Sequence, residues 1–185
     1  AEAKLFDEVK IMAQLRSPYV VNFYGVTKEQ PYRIVMEYME GGSLRDFLKV
    51  QSQESTSWDM RFQISHDITQ GLTYLHQQSI VHADLKSLNI LLNEKRHAKL
   101  ADFGLASVKT ENVEQLYQDA SQVKGSLLWM APELFNQGRH TFVSDVYSMG
   151  VVLWEIATHR FPFQDKKWGV AEMALQITQG TREKF

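Results

Sequence analysis

The sequence predicts an α+β chain in two lobes: a small sheet-bearing part over residues 1–40 and a mainly helical part over residues 41–185, joined through residues 37–42. Two observations carry this. Runs rich in β-branched and aromatic residues crowd into the first forty positions around a polar loop. Beyond them, apolar residues recur mostly at helical spacing, over stretches too long for strands.

The elements follow in order. Leu5, Phe6, Val9, Met12 and Leu15 recur at helical spacing and predict an amphipathic helix over residues 2–16. Ser17-Pro18 stops it, because the residue before a proline is driven out of the helical region. Residues 20–27 and 32–39 flank Lys28-Glu29-Gln30-Pro31 and predict an antiparallel hairpin with a four-residue loop. Gly41-Gly42 ends the second strand, and Ser43 can cap a short helix through Leu48. After the polar linker 51–57, Phe62, Ile64, Ile68, Leu72 and Leu75 mark a long helix over residues 58–77. Residues 90–92 and 98–101 are two short strands around Asn93-Glu94-Lys95-Arg96, and a long polar segment runs from 107 to 124. Residues 143–157 are apolar nearly all round, which predicts a buried helix. A weaker helical pattern covers residues 170–178.

Composition excludes several function classes. The 185 residues carry 20 Lys+Arg against 22 Asp+Glu, a net charge of −2, which argues against a nucleic-acid binder that works by a basic face. There is no cysteine, which excludes disulfides, Cys-ligated zinc, Fe–S clusters and a thiol nucleophile. A reducing interior suits such a chain, and a cytoplasmic location is expected. No apolar run reaches membrane-span length; Met149 to Trp154 is stopped by Glu155. Ala1-Glu2-Ala3-Lys4 lacks both a signal-peptide pattern and an initiator Met, so the start is expected to be processed, engineered or cut from something longer.

Four motifs occur in order: His82-Ala83-Asp84-Leu85-Lys86-Ser87-Leu88-Asn89, Asp102-Phe103-Gly104, Ala131-Pro132-Glu133 and Ser144-Asp145-Val146-Tyr147. Their spacing has a physical logic. Asn89 sits just before one short strand and Asp102 just after the next, so a tight hairpin brings the two side by side. An amide oxygen beside a carboxylate suits Mg2+, which keeps some waters and borrows phosphate oxygens. Asp84 lies on the same loop as Asn89, where a carboxylate can meet an incoming hydroxyl. Lys86 can supply positive charge to a phosphoryl group in transit. Each motif alone is weak, and together, in order and with the right elements between them, they are specific.

On these residues the chain resembles the protein kinase family, and the resemblance covers essentially all of it. It implies a two-lobed protein-kinase fold and ATP- and Mg2+-dependent phosphoryl transfer to Ser/Thr hydroxyls of protein substrates in signalling. It implies catalytic roles for Asp84, Lys86, Asn89, Asp102 and Glu8, with Glu8 as the small-lobe glutamate that pairs with a strand lysine. Asn89 and Asp102 would ligate the metal. Met36 would stand at the gatekeeper position, Glu37 and Met39 would offer backbone groups to adenine, and Leu91 would floor the pocket, with Asp102 also on the nucleotide. Met12, Phe23, His82 and Phe103 would stack as a spine between the lobes, anchored through Asp145. Lys86 suggests a Ser/Thr preference. Ser126, and Trp129-Met130-Ala131-Pro132-Glu133 with Ser144 to Glu155, resemble the tyrosine-kinase-like group: mixed-lineage, Raf-like and receptor-interacting kinases. Two other readings remain open on the residues alone. One is a non-catalytic pseudokinase-like scaffold; the other, on the shared His-x-Asp and Asn loop, is a small-molecule phosphotransferase.

The chain departs from the family pattern twice. The glycine-rich phosphate loop and the strand lysine would precede residue 1, and the final helices would follow residue 185. The expectation is a domain truncated at both ends, poorly folded in its small lobe and inactive alone, within an active parent domain. Ala83 also replaces the usual Arg, which binds a phosphate on the activation segment by a charge-assisted contact. Phosphomimics at Thr110, Tyr117, Ser121 or Ser126 are therefore expected not to raise activity by Arg pairing. A rise of about tenfold from one of them, unimproved by Ala83→Arg, would require another switch.

Overall fold

The computed structural model describes residues 2–103, 107–108 and 126–185, with the backbone alone at residues 2–7, 107, 108 and 137. Gly104, Thr110, Tyr117, Ser121 and most of the expected polar segment lie outside the described residues.

Helix α1 spans Glu2–Gln14 and presents Ile11 and Met12, with Leu15 just beyond it, to the core. Strands β1 (Phe23–Val26) and β2 (Ile34–Met36) form the expected antiparallel hairpin, with Val26 opposite Ile34 and an irregular register at Gly25. Both strands are shorter than expected. For β1 the reason is that residues 19–21 pair elsewhere: the Leu100 N–H donates to the Tyr19 carbonyl at 2.9 Å, and the Val21 N–H donates to the Leu100 carbonyl at 3.0 Å.

A turn at Gly41-Gly42 leads into β3 (Gly42–Ser43) and α2 (Leu44–Val50). Gly42 has φ +68°, which favours glycine, and a Cβ on Gly41 would lie 2.7 Å from the Leu92 carbonyl oxygen, which leaves room for glycine alone. Ser43 caps α2 as expected, accepting from the Asp46 N–H at 3.1 Å. Helix α3 covers Trp58–Gln77, the expected span. β4 (Ile80–Val81), a 3-10 turn (Ser87–Asn89), β5 (Ile90–Leu92) and β6 (Ala98–Leu100) follow. β3, β5 and β6 form one antiparallel sheet, and β4 pairs with β7 (Ser107–Val108). A 3-10 turn (Leu127–Trp129) precedes α4 (Leu134–Gln137), α5 (Phe142–Thr158) and α6 (Val170–Thr178). None of these helices is long and apolar enough to cross a membrane.

The main core runs from Ile11, Met12 and Leu15 through Leu72 and Leu100 to Val152 and Ile156 of α5. Two expectations about helix faces need correction. On α3 the buried stripe is Arg61, Ile64, Asp67, Ile68, Gly71, Leu72 and Leu75, whereas Phe62 points out with 71% exposure. On α5 the apolar residues do not make an all-round buried surface: Val143 and Val146 are 70% and 59% exposed. The inward face is instead shared with Ser144, Asp145, Ser148 and Glu155, each buried against polar partners. Helical period, not hydrophobicity, chose which residues face the core.

Gly71 lets α3 approach the strand below. A Cβ there would sit 2.8 Å from the Tyr19 carbonyl oxygen and 3.0 Å from the Leu100 side chain. Arg61 takes an inward place because it is an efficient collector of carbonyls. Its Nη1 donates to the Ala157 carbonyl at 2.6 Å, its Nε to Thr56 at 3.1 Å, and its Nη2 to the Gln53 carbonyl. It thereby stabilises the carbonyl end of α5, where a cation is favoured by the helix dipole. Truncating it takes the charged donor from three carbonyls, that of buried Thr56 among them, and Arg61→Leu is expected to cost about 3 kcal/mol in urea unfolding, since charge-assisted hydrogen bonds are worth about 1.5–3 kcal/mol each.

Candidate active site

The site is built on a loop with little regular structure, held from behind by one carboxylate. Asp145, in the first turn of α5, is 1% exposed. Its Oδ2 accepts from the His82 N–H and its Oδ1 from the Ala83 N–H, at 2.9 and 3.0 Å. The His76 Nε2, from the end of α3, lies 2.9 Å from Oδ2. Ala83 sits in the left-handed region at φ +66°, a conformation a non-glycine residue holds only when its surroundings impose it. His82 is fully buried, accepts from the Asp84 N–H on Nδ1 at 3.3 Å and stacks on Phe103 with ring centroids 5.4 Å apart. Its Nε2 has no partner among the described residues.

Beyond that turn the loop side chains converge. Lys86 Nζ donates to Asp84 Oδ2 at 2.7 Å and to the Ser126 hydroxyl at 2.8 Å. Asn89 Nδ2 donates to the Asp84 carbonyl and to Asp84 Oδ2, both at 2.9 Å. The Asn89 amide nitrogen is thus spent on Asp84, and among the described residues no hydrogen bond uses its oxygen. The Ala101 N–H donates to the Asn89 carbonyl at 2.9 Å, which sets Asp102 one residue from Asn89 across the β5–β6 hairpin. Asp102 is exposed, with φ +62°.

Glu8 reaches this end of the hairpin from α1. It is half-buried, and its carboxylate accepts from the Phe103 N–H. Burial and the neighbouring Asp102 carboxylate push the Glu8 carboxyl above the usual range. Met12, His82 and Phe103 are buried, and Phe23 packs against the same core.

Glu37 and Met39 flank the turn into β3. Met39 is buried with Val21 and Ala101, and Leu91 packs against the three, giving an apolar patch beside Asp102. Met36 is 38% exposed. The Glu37 carbonyl and the Met39 N–H make no backbone hydrogen bond among the described residues. The Glu37 side chain is engaged: Lys99 Nζ donates to its two oxygens at 2.7 and 2.8 Å, and the Asn22 amide donates to Oε2 at 2.9 Å. Burial raises the Glu37 carboxyl, and the Lys99 and Asn22 donors outweigh it, so the net direction is down.

Sequence reasoning missed Lys99, Asn22 and Ser87 as parts of this site. Lys99 carried a signal, since it alternates outward between buried Ala98 and Leu100, but spacing alone does not name a partner 62 positions away. The Asp145 anchor yields a test. Asn offers one acceptor where two backbone N–H groups need one each, so Asp145→Asn is expected to destabilise by about 2–3 kcal/mol in urea unfolding.

The sequence matches the family model for protein tyrosine and serine/threonine kinases over residues 1–184. It is 38% identical over 164 residues to the serine/threonine/tyrosine-protein kinase HT1 of Arabidopsis thaliana, covering 88% of this chain and 41% of that protein. It is 37% identical over 164 residues to the serine/threonine-protein kinase STY46 of Arabidopsis thaliana, covering 88% of this chain and 28% of that protein. It is 35% identical over 184 residues to receptor-interacting serine/threonine-protein kinase 4 of Mus musculus, covering 97% of this chain and 22% of that protein. The chain therefore spans less than half the length of each of these relatives. With the His82–Asn89 loop anchored by Asp145 and a family match running nearly end to end, the chain belongs to the protein tyrosine and serine/threonine kinase family.

Proposed function

We propose that this chain carries the catalytic centre of an ATP- and Mg2+-dependent kinase that phosphorylates Ser or Thr hydroxyls of protein substrates. The observation that carries it is the Asp84 carboxylate, held by Lys86 at 2.7 Å and by Asn89 at 2.9 Å, with the Ser126 hydroxyl on the same lysine. A carboxylate fixed this way can orient an incoming hydroxyl and accept its proton. The Lys86 ammonium stands beside it to offset charge on the transferring phosphoryl group. Relatives whose names call them serine/threonine-protein kinases support the same direction.

The residues present fit Mg-ATP. Among the described residues no group of three or more His, Asp or Glu side chains could hold a metal by itself. The Asn89 oxygen and Asp102 are a sparse oxygen pair, the kind that suits a cation keeping its waters and taking phosphate oxygens. When bound, Mg2+ would neutralise phosphate charge. The Val21, Met39, Ala101 and Leu91 patch suits an adenine ring, with the Glu37 carbonyl and Met39 N–H along its edge.

The test is peptide phosphorylation by the full-length protein. Asp84→Asn is expected to reduce transfer by at least about 100-fold while sparing nucleotide affinity, because it removes the proton acceptor and leaves the phosphate ligands in place. Asp102→Asn is expected to weaken both. An Asp84→Asn protein with ordinary turnover would overturn the proposal.

A further inference from the structure

A second tie joins the same two segments below the cleft. Glu155 of α5 is fully buried, at 0% exposure. Its Oε1 accepts from the Ser87 hydroxyl and its Oε2 from the Trp129 indole N–H, each at 2.7 Å. Ser87 follows Lys86 directly and opens the 3-10 turn that ends at Asn89. Trp129 closes the 3-10 turn that begins after Ser126. Lys86 and Ser126 meet at the top, at 2.8 Å, and Ser87, Glu155 and Trp129 close the ring beneath them. Trp129 is further fixed by the Ser148 hydroxyl, which donates to its carbonyl at 2.8 Å.

Resting on the phosphotransfer reading above, we propose that Glu155 is a positioning residue whose ionised carboxylate holds the catalytic loop in register with the Ser126–Trp129 segment, so that Asp84 and Lys86 meet the acceptor hydroxyl only while Glu155 is charged.

Hydrogen-bond direction carries the argument. The ionised carboxylate accepts on both oxygens and so satisfies both donors. The indole N–H can only donate, so a proton added to Glu155 must sit on Oε1, facing Ser87. Ser87 would then have to accept, and its own hydrogen would need a new acceptor in a fully buried site. The disturbance falls on the residue between Lys86 and the turn carrying Asn89. Burial pushes the Glu155 carboxyl up to about 7; Ser87, Trp129 and, at longer range, Arg45 of α2 pull it back down. A carboxyl raised from 4.5 to about 7 makes the fold less stable as pH rises through that interval. The ionised form is therefore kept against a stability cost, which is usual for groups held for function.

The test has two readouts. The first is the indole N–H resonance of Trp129, assigned by its loss in Trp129→Phe. It is expected to shift with pH through one inflection near 7, to lose that inflection in Glu155→Gln, and to move it to higher pH in Ser87→Ala, because a donor that favours the charged form is gone. The second is peptide phosphorylation by the full-length protein. Glu155→Gln, which fixes the proton-bearing pattern, is expected to lower peptide kcat/KM about tenfold at pH 8 and hardly at all at pH 6, with the KM for ATP unchanged, since misalignment of this kind costs rate. Should Glu155→Gln fail to fold, Ser87→Ala carries the test, with the acid limb of activity moving up alongside the indole inflection. A deficit equal at both pH values, or an active enzyme whose indole does not titrate, overturns the positioning role. A titrating indole in a wild-type protein that transfers no phosphate overturns the phosphotransfer reading instead.

Discussion

The contact on which the rest of the site depends is Asp145 with the backbone of the loop before Asp84. Two consecutive N–H groups point at two oxygens of one buried carboxylate. Ala83 can then stay left-handed, and the reversal it makes turns Asp84 toward Lys86 and Asn89. Asp67 of α3 repeats the device: its Oδ2 accepts from the Ala98 N–H at 3.0 Å and lies 3.1 Å from His97 Nδ1, fixing the start of β6. Irregular backbone carries the proposed site, and carboxylates on helices hold it.

Charge is used sparingly and in pairs. Lys86 neutralises Asp84, Lys99 neutralises Glu37, and Arg61 is spread over three carbonyls. Glu155 is the contrast: burial pushes its carboxyl up to about 7, and the neutral Ser87 and Trp129 donors pull it only part of the way back. The Lys99–Glu37 pair also ties the segment leading to β3 to the strand that ends before Asp102, across the apolar patch around Met39.

Much of this was legible in the sequence because it depends on local order. Helix α3 was visible to its end residues, since Ile64, Ile68, Leu72 and Leu75 keep one period along it and a polar stretch precedes it. That Asn89 and Asp102 lie at the same end of the β5–β6 hairpin was legible because a three-residue strand and its return leave little freedom in where their ends lie. What could not be read was which neighbour a polar residue would find. Arg61 and Phe62 are adjacent, and only the carbonyls of residues 53, 56 and 157 decide that the charged one turns inward. Likewise Val143 and Val146 look like core residues until the polar face of α5 is known to hold Asp145 and Glu155. Long-range partners are set by the whole fold, and hydrophobic patterning is blind to them.

Gly71 shows how little tolerance this arrangement has. A single methyl at that position would meet the Tyr19 carbonyl and press on Leu100, which the Tyr19 and Val21 backbone grips from its other side. Leu100 is two positions ahead of Asp102, and a strand transmits such a push along its length with little loss. A displacement of a few tenths of an ångström, harmless on most helix surfaces, would fall here on the strand that leads into Asp102. The smallest residue in the chain thus acts as a spacer of zero thickness, and the calibration of the site is written in an atom that is absent.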